Sequence, residues 1–220
     1  MLKFVHQAIR DIRTTGSVFP SSPRLARAMT NSLREHRGEK KILEVGPGTG
    51  AFTEAILSSL RGHDTFDVVE VNPVFCAHIE GRLLTPFRAH HSSMSIRLLC
   101  APIEEAALEG GYDFVICGLP FNNFPLALTE SIFARMLQLM RDGGELTYFE
   151  YPGMRTLKRP FVGPQGRDHI AKFKAFAKKT ASSHLVTRTL VVANIPPAHA
   201  VRLTKRHGVL EPCSASMKTS

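Results

Sequence analysis

The residue types best suited to chemistry occur in one stretch, Lys41 to Gly50, which reads KILEVGPGTG. A short apolar run carries an acid and then gives way to three glycines at alternate positions, with a proline between the first two. A helical pattern starts at Ala51. This composition is typical of a buried strand that turns tightly into a helix, where glycines let backbone N–H groups approach a ligand. The stretch predicts a cofactor site built from Glu44, Gly46, Pro47, Gly48 and Gly50.

A second acid stands where a doubly wound fold places its ribose ligand. The run from Asp67 to Val71 predicts the second strand, and Glu70 lies near its carboxyl end, 20 residues after the last loop glycine. A carboxylate at this place accepts hydrogen bonds from ribose hydroxyls. We therefore expect Glu70 and Val71 to bind the cofactor, with a solvated surface acid as the alternative. Dinucleotide sites share this design, so these residues leave the choice of cofactor open.

The remaining apolar runs predict the strands and helices that position these groups. A third strand, Ser95 to Cys100, ends at Ala101 and Pro102, and a fourth, Tyr112 to Cys117, leads into Gly118, Leu119 and Pro120. Carboxyl ends of central parallel strands face the ligand, so both loops should border the cofactor. A long helix over 23–36, a helix over 126–140, a fifth strand over 145–151 and an antiparallel pair over 185–195 and 199–205 complete the pattern.

These elements predict a single α/β domain over residues 1–220. Its parts are an N-terminal helical region (1–36), a cofactor-binding core (37–151), a basic insertion (152–184) and edge strands (185–207). The sheet should be mostly parallel with an antiparallel edge. No run approaches the roughly 20 apolar residues that span a bilayer, and the start of the chain does not read as a signal peptide.

The net charge of +9 and a pI near 9.7 favour a polyanionic partner, either nucleic acid or an anionic membrane surface. The 10 histidines are scattered without ligand spacing, so no metal site is expected. Cys76, Cys100, Cys117 and Cys213 show no paired spacing and are expected to be reduced core thiols of a cytosolic protein.

Two segments have the pattern of basic amphipathic helices. Residues 1–13 place apolar side chains on one arc and basic ones on the other, and residues 167–180 repeat the arrangement. Such a helix packs on its own domain or lies in a headgroup layer. For the second case the predicted membrane contacts are Lys3, Phe4, Arg10, Arg13, Lys172, Phe173 and Lys174.

The motif EVGPGTG, with its acid two positions before the first glycine, resembles the first motif of class I S-adenosylmethionine-dependent methyltransferases. Nearly the whole chain resembles bacterial phospholipid N-methyltransferases of the type related to ribosomal RNA adenine dimethyltransferases. The resemblance is carried by TTGSVFPSS (14–22), EVGPGTG (44–50), VEVNP (69–73), GLPFNNFP (118–125), FEYPG (149–153) and NIPPA (194–198). The RNA enzymes lead the fourth-strand motif with Asn or Asp, where this chain has Gly118.

The resemblance implies a Rossmann-like class I methyltransferase fold with an N-terminal amphipathic helix. It also implies S-adenosylmethionine as cofactor, S-adenosylhomocysteine as product, and an amine substrate, phosphatidylethanolamine, methylated up to three times. The expected location is cytoplasmic, peripheral on the cytoplasmic membrane, with phospholipid and no nucleic acid as partner. Gly118 should widen the pocket beyond what holds an adenine, and an adenine-contacting Asp after the third strand is missing.

Residues at the carboxyl end of the fifth strand are expected to hold or deprotonate the headgroup. They are Tyr148, Glu150 and Tyr151, although strand alternation prevents neighbours from pointing the same way. Phe19, Phe121 and Asn122 are the expected substrate contacts, the aromatics through cation–π attraction to a methylated ammonium or, alternatively, only as packing residues. Two alternatives remain: an RNA adenine N6-methyltransferase, in which the positive charge serves phosphate binding, and a non-enzymatic lipid-binding module.

Overall fold

The structure, a computed structural model, describes residues 21–121, 124–151, 176 and 184–205. Its described strands form one seven-stranded sheet in the order β3-β2-β1-β4-β5-β7-β6. The strands are β1 (Lys41–Val45), β2 (Thr65–Val69), β3 (Ser95–Leu99), β4 (Tyr112–Cys117), β5 (Met140–Glu150), β6 (His184–Val191) and β7 (Ala198–Lys205). The first five are parallel, and β7 runs antiparallel to both β5 and β6.

Helices cover both faces of this sheet. They are α1 (Pro23–Met29), α2 (Asn31–Glu35), α3 (Ala51–Leu57), α4 (Pro73–Ile79), α5 (Thr85–His90) and α6 (Leu126–Leu139), with a π-helical turn at Glu80–Leu84 between α4 and α5. One apolar core contains α6 and Leu43, Val45 and Val115 of the sheet. The opposite core contains α1 and α3 with Ile42, Phe66 and Ile116. Because β1, β2 and β4 are buried on both faces, they read as almost continuous apolar runs.

Two clusters of charged and polar side chains link neighbouring strands to one another. The Lys40 ammonium pairs with the Asp64 carboxylate, and both side chains are 1% exposed. Asp64 also accepts the backbone N–H groups of Lys40 and Arg61, at 3.0 and 2.8 Å. Asp67 accepts hydrogen bonds from the Arg97 guanidinium and the Tyr112 hydroxyl, which links β2, β3 and β4. Because these groups are paired with one another, they stabilise the sheet and are not candidates for ligand binding.

The predicted fold class is confirmed over the described residues, including the antiparallel edge at β7 and β6. The predicted amphipathic helices over 1–13 and 167–180 lie outside the described residues, apart from Phe176, and stay predictions. The single helix expected over 23–36 is instead two helices, because Thr30 leaves helical geometry and its hydroxyl donates to the Ala26 carbonyl at 2.9 Å. The fifth strand begins at Met140 rather than at residue 145, with Gly143 and Gly144 inside it.

The expectation of four reduced thiols is wrong for Cys76 and Cys100, which form a disulfide between α4 and the end of β3, with Cα atoms 6.1 Å apart. Cys117 is free and buried, and Cys213 lies outside the described residues. A separation of 24 residues gives no sequence signal for the pair. It forms because β2 and β3 are neighbours, which brings the segments that follow them together.

Candidate functional site

A cleft with a cavity volume of about 120 Å³ opens at the carboxyl ends of β1 to β4. Among the described residues that line it, most are apolar, two are carboxylates and none is Lys, Arg or His. The lining residues are Val45, Gly46, Gly48, Val69, Glu70, Val71, Phe75, Ala101, Pro102, Ile103, Glu104, Gly118, Leu119, Pro120, Phe124, Leu128 and Ile132.

The glycine loop between β1 and α3 forms the floor of this cleft. Gly46, Gly48 and Gly50 have φ angles of 71°, 57° and 93°, a left-handed backbone that favours glycine. The Gly46 N–H donates to the Val69 carbonyl at 2.9 Å, and the Gly118 N–H donates to the Val45 carbonyl at 2.8 Å. These bonds hold the loop between the ends of β2 and β4.

Gly118 and Gly46 are packed against each other so closely that neither tolerates a side chain. A Cβ built on Gly118 would lie less than 3.0 Å from the Gly46 carbonyl oxygen and 3.3 Å from Phe52 Cδ2. A Cβ on Gly46 would meet the Leu119 side chain, and the φ of 71° at Gly46 disfavours any side chain. The expectation that Gly118 widens the pocket is therefore wrong, because the glycine loop fills the volume of the missing side chain.

Glu44 lies one layer behind the cleft wall, on the α3 side of β1. It is fully buried, and the Thr53 hydroxyl of α3 donates to its Oε2 at 2.8 Å. Burial raises the pKa of Glu44 to about 8, and the charge of Glu70 adds to the rise while the Thr53 hydrogen bond opposes it. Its Oε1 has no hydrogen-bond partner among the described residues.

Glu70 lines the cleft where the ribose ligand was predicted. Its two carboxylate oxygens accept the backbone N–H groups of Gly48, at 3.2 Å, and Asn72, at 2.9 Å. Burial raises the pKa of Glu70, and these backbone hydrogen bonds oppose the rise. The carboxylate thus joins the glycine loop to the end of β2, and it faces the space that a ribose would occupy.

Most of the predicted cofactor residues line the cleft. They are Gly46, Gly48, Glu70, Val71, Ala101, Pro102, Gly118, Leu119 and Pro120. Glu44, Pro47 and Gly50 do not line it. Gly50 is the N-cap of α3, and a Cβ there would collide with Leu83 and Ile79, so it serves the packing of the turn.

Sequence reasoning missed the apolar walls and one acid. Phe75, Ile103, Phe124, Leu128 and Ile132 line the cleft from helices and loops. Each of them reads in the sequence as an ordinary core position, so no local signal marks it. Glu104, the second carboxylate of the lining, lies within 3.4 Å of the Ser131 hydroxyl. It comes a few residues after the position of the missing adenine-contacting Asp, and the absence of that Asp is the one sequence signal that pointed to this region.

The three expected headgroup residues do not lie on the cleft wall. Tyr148 is 3% exposed and its hydroxyl donates to Glu150 Oε1 at 3.2 Å, so these two side chains share the α6 face of β5. Tyr151 lies on the opposite face, where its ring packs on Phe149 at 5.3 Å. Burial raises the pKa of Tyr151, and a hydrogen bond with the Asn194 side chain opposes the rise.

Phe121 is also a core residue rather than a substrate contact. Its ring is 3% exposed and packs against Phe133 at 4.6 Å, Phe124 at 6.0 Å and Tyr148 at 6.3 Å. Cation–π contact with substrate is therefore not available to it in this arrangement. The other predicted substrate and membrane contacts lie outside the described residues: Phe19, Asn122, Lys3, Phe4, Arg10, Arg13, Lys172, Phe173 and Lys174.

Over the part of the chain that the structure describes, no helix is long and apolar enough to cross a membrane. Within the same residues, no cluster of three or more His, Cys, Asp or Glu side chains is arranged to hold a metal ion.

Residues 42–144, which contain the glycine loop, Glu70 and Gly118, match the family model described as a methyltransferase domain. An ornithine lipid N-methyltransferase of Singulisphaera acidiphila is 27% identical over 128 residues, 58% of this chain and 66% of that protein. A highly reducing polyketide synthase of Pyricularia oryzae is 31% identical over 131 residues, 56% of this chain and 4% of the synthase. The aligned residues cover 66% of the ornithine lipid N-methyltransferase and 4% of the polyketide synthase, so this chain spans less than two thirds of the length of either relative.

Solved structures agree on the fold. The O-methyltransferase TomG from Streptomyces achromogenes, in complex with S-adenosylmethionine, has a TM-score of 0.59 at 14% identity, over 91% of this chain and 88% of that one. An O-methyltransferase from Bacillus cereus in complex with S-adenosylhomocysteine has a TM-score of 0.57 at 13% identity, over 92% and 91%. The architecture is that of class I methyltransferases, and these two neighbours hold S-adenosylmethionine and S-adenosylhomocysteine.

Proposed function

We propose that this protein uses S-adenosylmethionine to methylate the amine of a membrane lipid headgroup. The single observation that carries the lipid class is the similarity to an ornithine lipid N-methyltransferase over 128 residues, 58% of this chain. Phosphatidylethanolamine is the first substrate to test, because the motifs around Gly118 and Asn194 resemble those of phospholipid N-methyltransferases. Ornithine lipid is the second, since it offers an amine of the same kind on a different backbone.

The charge of the cleft supports an amine substrate over a nucleic acid. Glu70 and Glu104 are the charged residues of its described lining, so the cleft attracts cations and repels phosphates. A sulfonium cofactor and an ammonium headgroup are both cations, so the negative charge of these carboxylates favours both. None of the chain's basic side chains is among the described residues of the lining.

The residues present fit the cofactor. Gly46 and Gly48 would hold its methionine part, Glu70 its ribose, and the apolar slot around Phe75 and Ile103 its adenine. When bound, it supplies an electrophilic methyl group on a positively charged sulfur. Methyl transfer is an in-line displacement, so the chain contributes mainly by positioning the two reactants and excluding water.

The amine must be neutral to react. Its ordinary pKa lies near 10, like that of lysine. Desolvation by Phe124, Leu128 and Ile132 favours the neutral form. The nitrogen lone pair would accept the methyl group of the bound cofactor, the electrons of the C–S bond would remain on sulfur, and the extra proton of the methylated ammonium would pass to solvent.

RNA adenine N6-methylation, the alternative, is not favoured by this geometry. The Asn or Asp that leads the corresponding motif in those enzymes would stand at position 118, where even a Cβ collides with Gly46. A flipped adenine would also lack the ring of Phe121, which is buried in the core.

The test is to supply methyl-labelled S-adenosylmethionine with three acceptors in parallel: phosphatidylethanolamine vesicles, ornithine lipid vesicles and ribosomal RNA. We expect label in a lipid pool, and a Glu70→Ala variant should lose it together with cofactor binding. Label in RNA, or in no acceptor despite measurable cofactor binding, would contradict the proposal.

A further inference from the structure

The loop between β6 and β7, residues 192–197, exposes large apolar side chains. Five such side chains are exposed among the described residues, and three of them lie at the end of β6 and in this loop. Leu190 is 54% exposed, Val192 69% and Ile195 82%. Single exposed apolar residues need no explanation, but three within six positions mark a surface that contacts something apolar.

The loop that exposes these apolar side chains is held in place by hydrogen bonds. Asn194 is 3% exposed, its Oδ1 accepts the Ser22 N–H at 3.0 Å, and its Nδ2 donates to the Pro196 carbonyl at 2.7 Å. The Tyr151 hydroxyl bonds to the same side chain. The buried amide thus fixes the loop to the start of α1 and the end of β5, so Val192 and Ile195 are held outward.

The loop lies at the edge of the sheet where the cleft opens. Glu150, the last residue of β5, pairs with His199 of β7, directly after the loop. The strand order places β7 two strands from β4, which carries Gly118 at its end. Two strand spacings make a lateral separation of about 10 Å. A lipid whose headgroup enters the cleft would have its membrane surface near this loop.

The charges around the loop fit an anionic surface. Arg188 of β6 lies four positions before the loop. Arg202 and Lys205 of β7 lie toward the far end of the strand pair and are bonded to Glu145 and Asp142, and Glu150 of β5, paired with His199, is an acid next to the loop. Arg24 and Arg27 of α1 are exposed, and α1 begins at Ser22, the residue bonded to Asn194. Three side chains are too few for a stable protein interface, which buries about 800 Å² on each partner. They suffice for shallow insertion among lipid headgroups that also attract the arginines.

We propose that residues 192–197 form a membrane wedge, in which Val192 and Ile195 insert into an anionic bilayer and hold the cleft at its surface. The inference rests on the proposed function for its purpose, because a lipid substrate is what makes docking at this edge useful. Tyr151 and Asn194 are positioning residues of the wedge.

The chain has no tryptophan, so one introduced residue reports on one position. In Ile195→Trp, we expect phosphatidylglycerol–phosphatidylethanolamine vesicles to shift the emission to shorter wavelength and brominated lipid to quench it. Leu185→Trp is the matched control: Leu185 is 61% exposed on the same strand, but it pairs with Thr204 at the opposite end. Its emission should not change.

A second variant measures the effect on binding. Val192→Ser combined with Ile195→Ser should lower vesicle partitioning about tenfold or more, while cofactor affinity measured by calorimetry stays unchanged. Leu185→Ser should leave both unchanged.

Different results would contradict the proposed function and the membrane wedge. A vesicle-dependent emission shift in Ile195→Trp, without methylation of any lipid by the unaltered protein, would sink the proposed function and support the wedge. Lipid methylation with no vesicle-dependent change at position 195, or unaltered partitioning of the double Ser variant, would overturn the wedge. An emission shift that grows with protein concentration in the absence of vesicles would overturn it in favour of self-association.

Discussion

Replacing Gly118 by Ala tests how closely the end of β4 and the glycine loop are packed. The added methyl group would lie less than 3.0 Å from the Gly46 oxygen, 3.4 Å from its carbonyl carbon and 3.3 Å from Phe52 Cδ2. Real Cβ atoms essentially never approach a backbone atom that closely. Since the nearest neighbours are backbone atoms, no rotamer change removes the clash, and the loop must move away from β4.

The size of the effect follows from the cost of such overpacking, typically about 1–3 kcal/mol. The Gly46 N–H and the Gly118 N–H make the bonds that hold the loop between β2 and β4, so the displacement falls on the cofactor site itself. We expect S-adenosylmethionine to bind about 5- to 150-fold more weakly, at tenfold per 1.4 kcal/mol. The free energy of unfolding should fall by a similar amount.

Gly81→Ala is the matched control. Gly81 has no heavy atom within 4 Å of a built Cβ and no positive φ, and it lies in the π-helical turn after α4. That substitution should leave cofactor affinity unchanged and stabilise the fold by about 0.4–1 kcal/mol. Calorimetric titration with S-adenosylmethionine and urea unfolding of each variant make the comparison. Wild-type affinity in Gly118→Ala would refute the packing argument, and gain of RNA methylation in Gly118→Asn would refute our exclusion of the adenine enzymes.

Three further predictions concern buried groups. Burial raises the pKa of Glu44 from 4.5 to about 8, so between these pH values the folded state binds more protons than the unfolded state. The free energy of unfolding, measured without cofactor, should therefore fall as the pH rises from 4.5 to about 8. The fall should amount to at most about 5 kcal/mol, and Glu44→Gln should remove it. Urea unfolding of both proteins at several pH values measures this, and an equal pH dependence of the free energy of unfolding in the two proteins would contradict the assignment of the effect to Glu44. Cys100→Ser should lower the free energy of unfolding by about 3 kcal/mol under oxidising conditions, as expected for the loop closed with Cys76, and reductant should lower wild type equally. Lys40→Met leaves Asp64 buried without its cation, so we expect a loss of about 3–5 kcal/mol, partly restored by adding Asp64→Leu; no loss in the single variant would show that the backbone N–H groups alone satisfy this carboxylate.

Local sequence rules predicted the central elements to within a few residues. β1, β2 and β4 are buried on both faces, so their apolar runs coincide with the strands, and the alternate glycines after β1 serve the left-handed turn that only glycine favours. The helix break at Thr30, whose N–H and hydroxyl both donate to the Ala26 carbonyl, was missed because the helical spacing of apolar residues continues across it.

The parts of the site that sequence could not predict depend on residues far apart in the chain. Gly118 was recognised as unusual, yet the consequence drawn from it was wrong, because the neighbour that fills its space is Gly46, 72 positions earlier. Phe121 was assigned to substrate from its loop position and Tyr148 from the carboxyl end of the fifth strand, but Phe133 of α6 packs on both rings and makes them core residues. The Cys76–Cys100 pair likewise follows from strand order, which no spacing rule contains.

The opposite signs of cleft and surface indicate that they bind different partners. Glu70 and Glu104 make the described cleft lining acidic in a chain of net charge +9. A zwitterionic or amine-bearing lipid in an anionic membrane satisfies both, because the amine enters the acidic cleft while the phosphates of neighbouring lipids meet the basic surface. Added salt should then weaken vesicle binding strongly, since exposed charges are screened within about 10 Å at 0.1 M. It should change cofactor affinity little, because Glu70 is buried. Equal salt sensitivity of the two affinities would show that one charged surface serves both ligands, and the division between an acidic cleft and a basic docking face would be refuted.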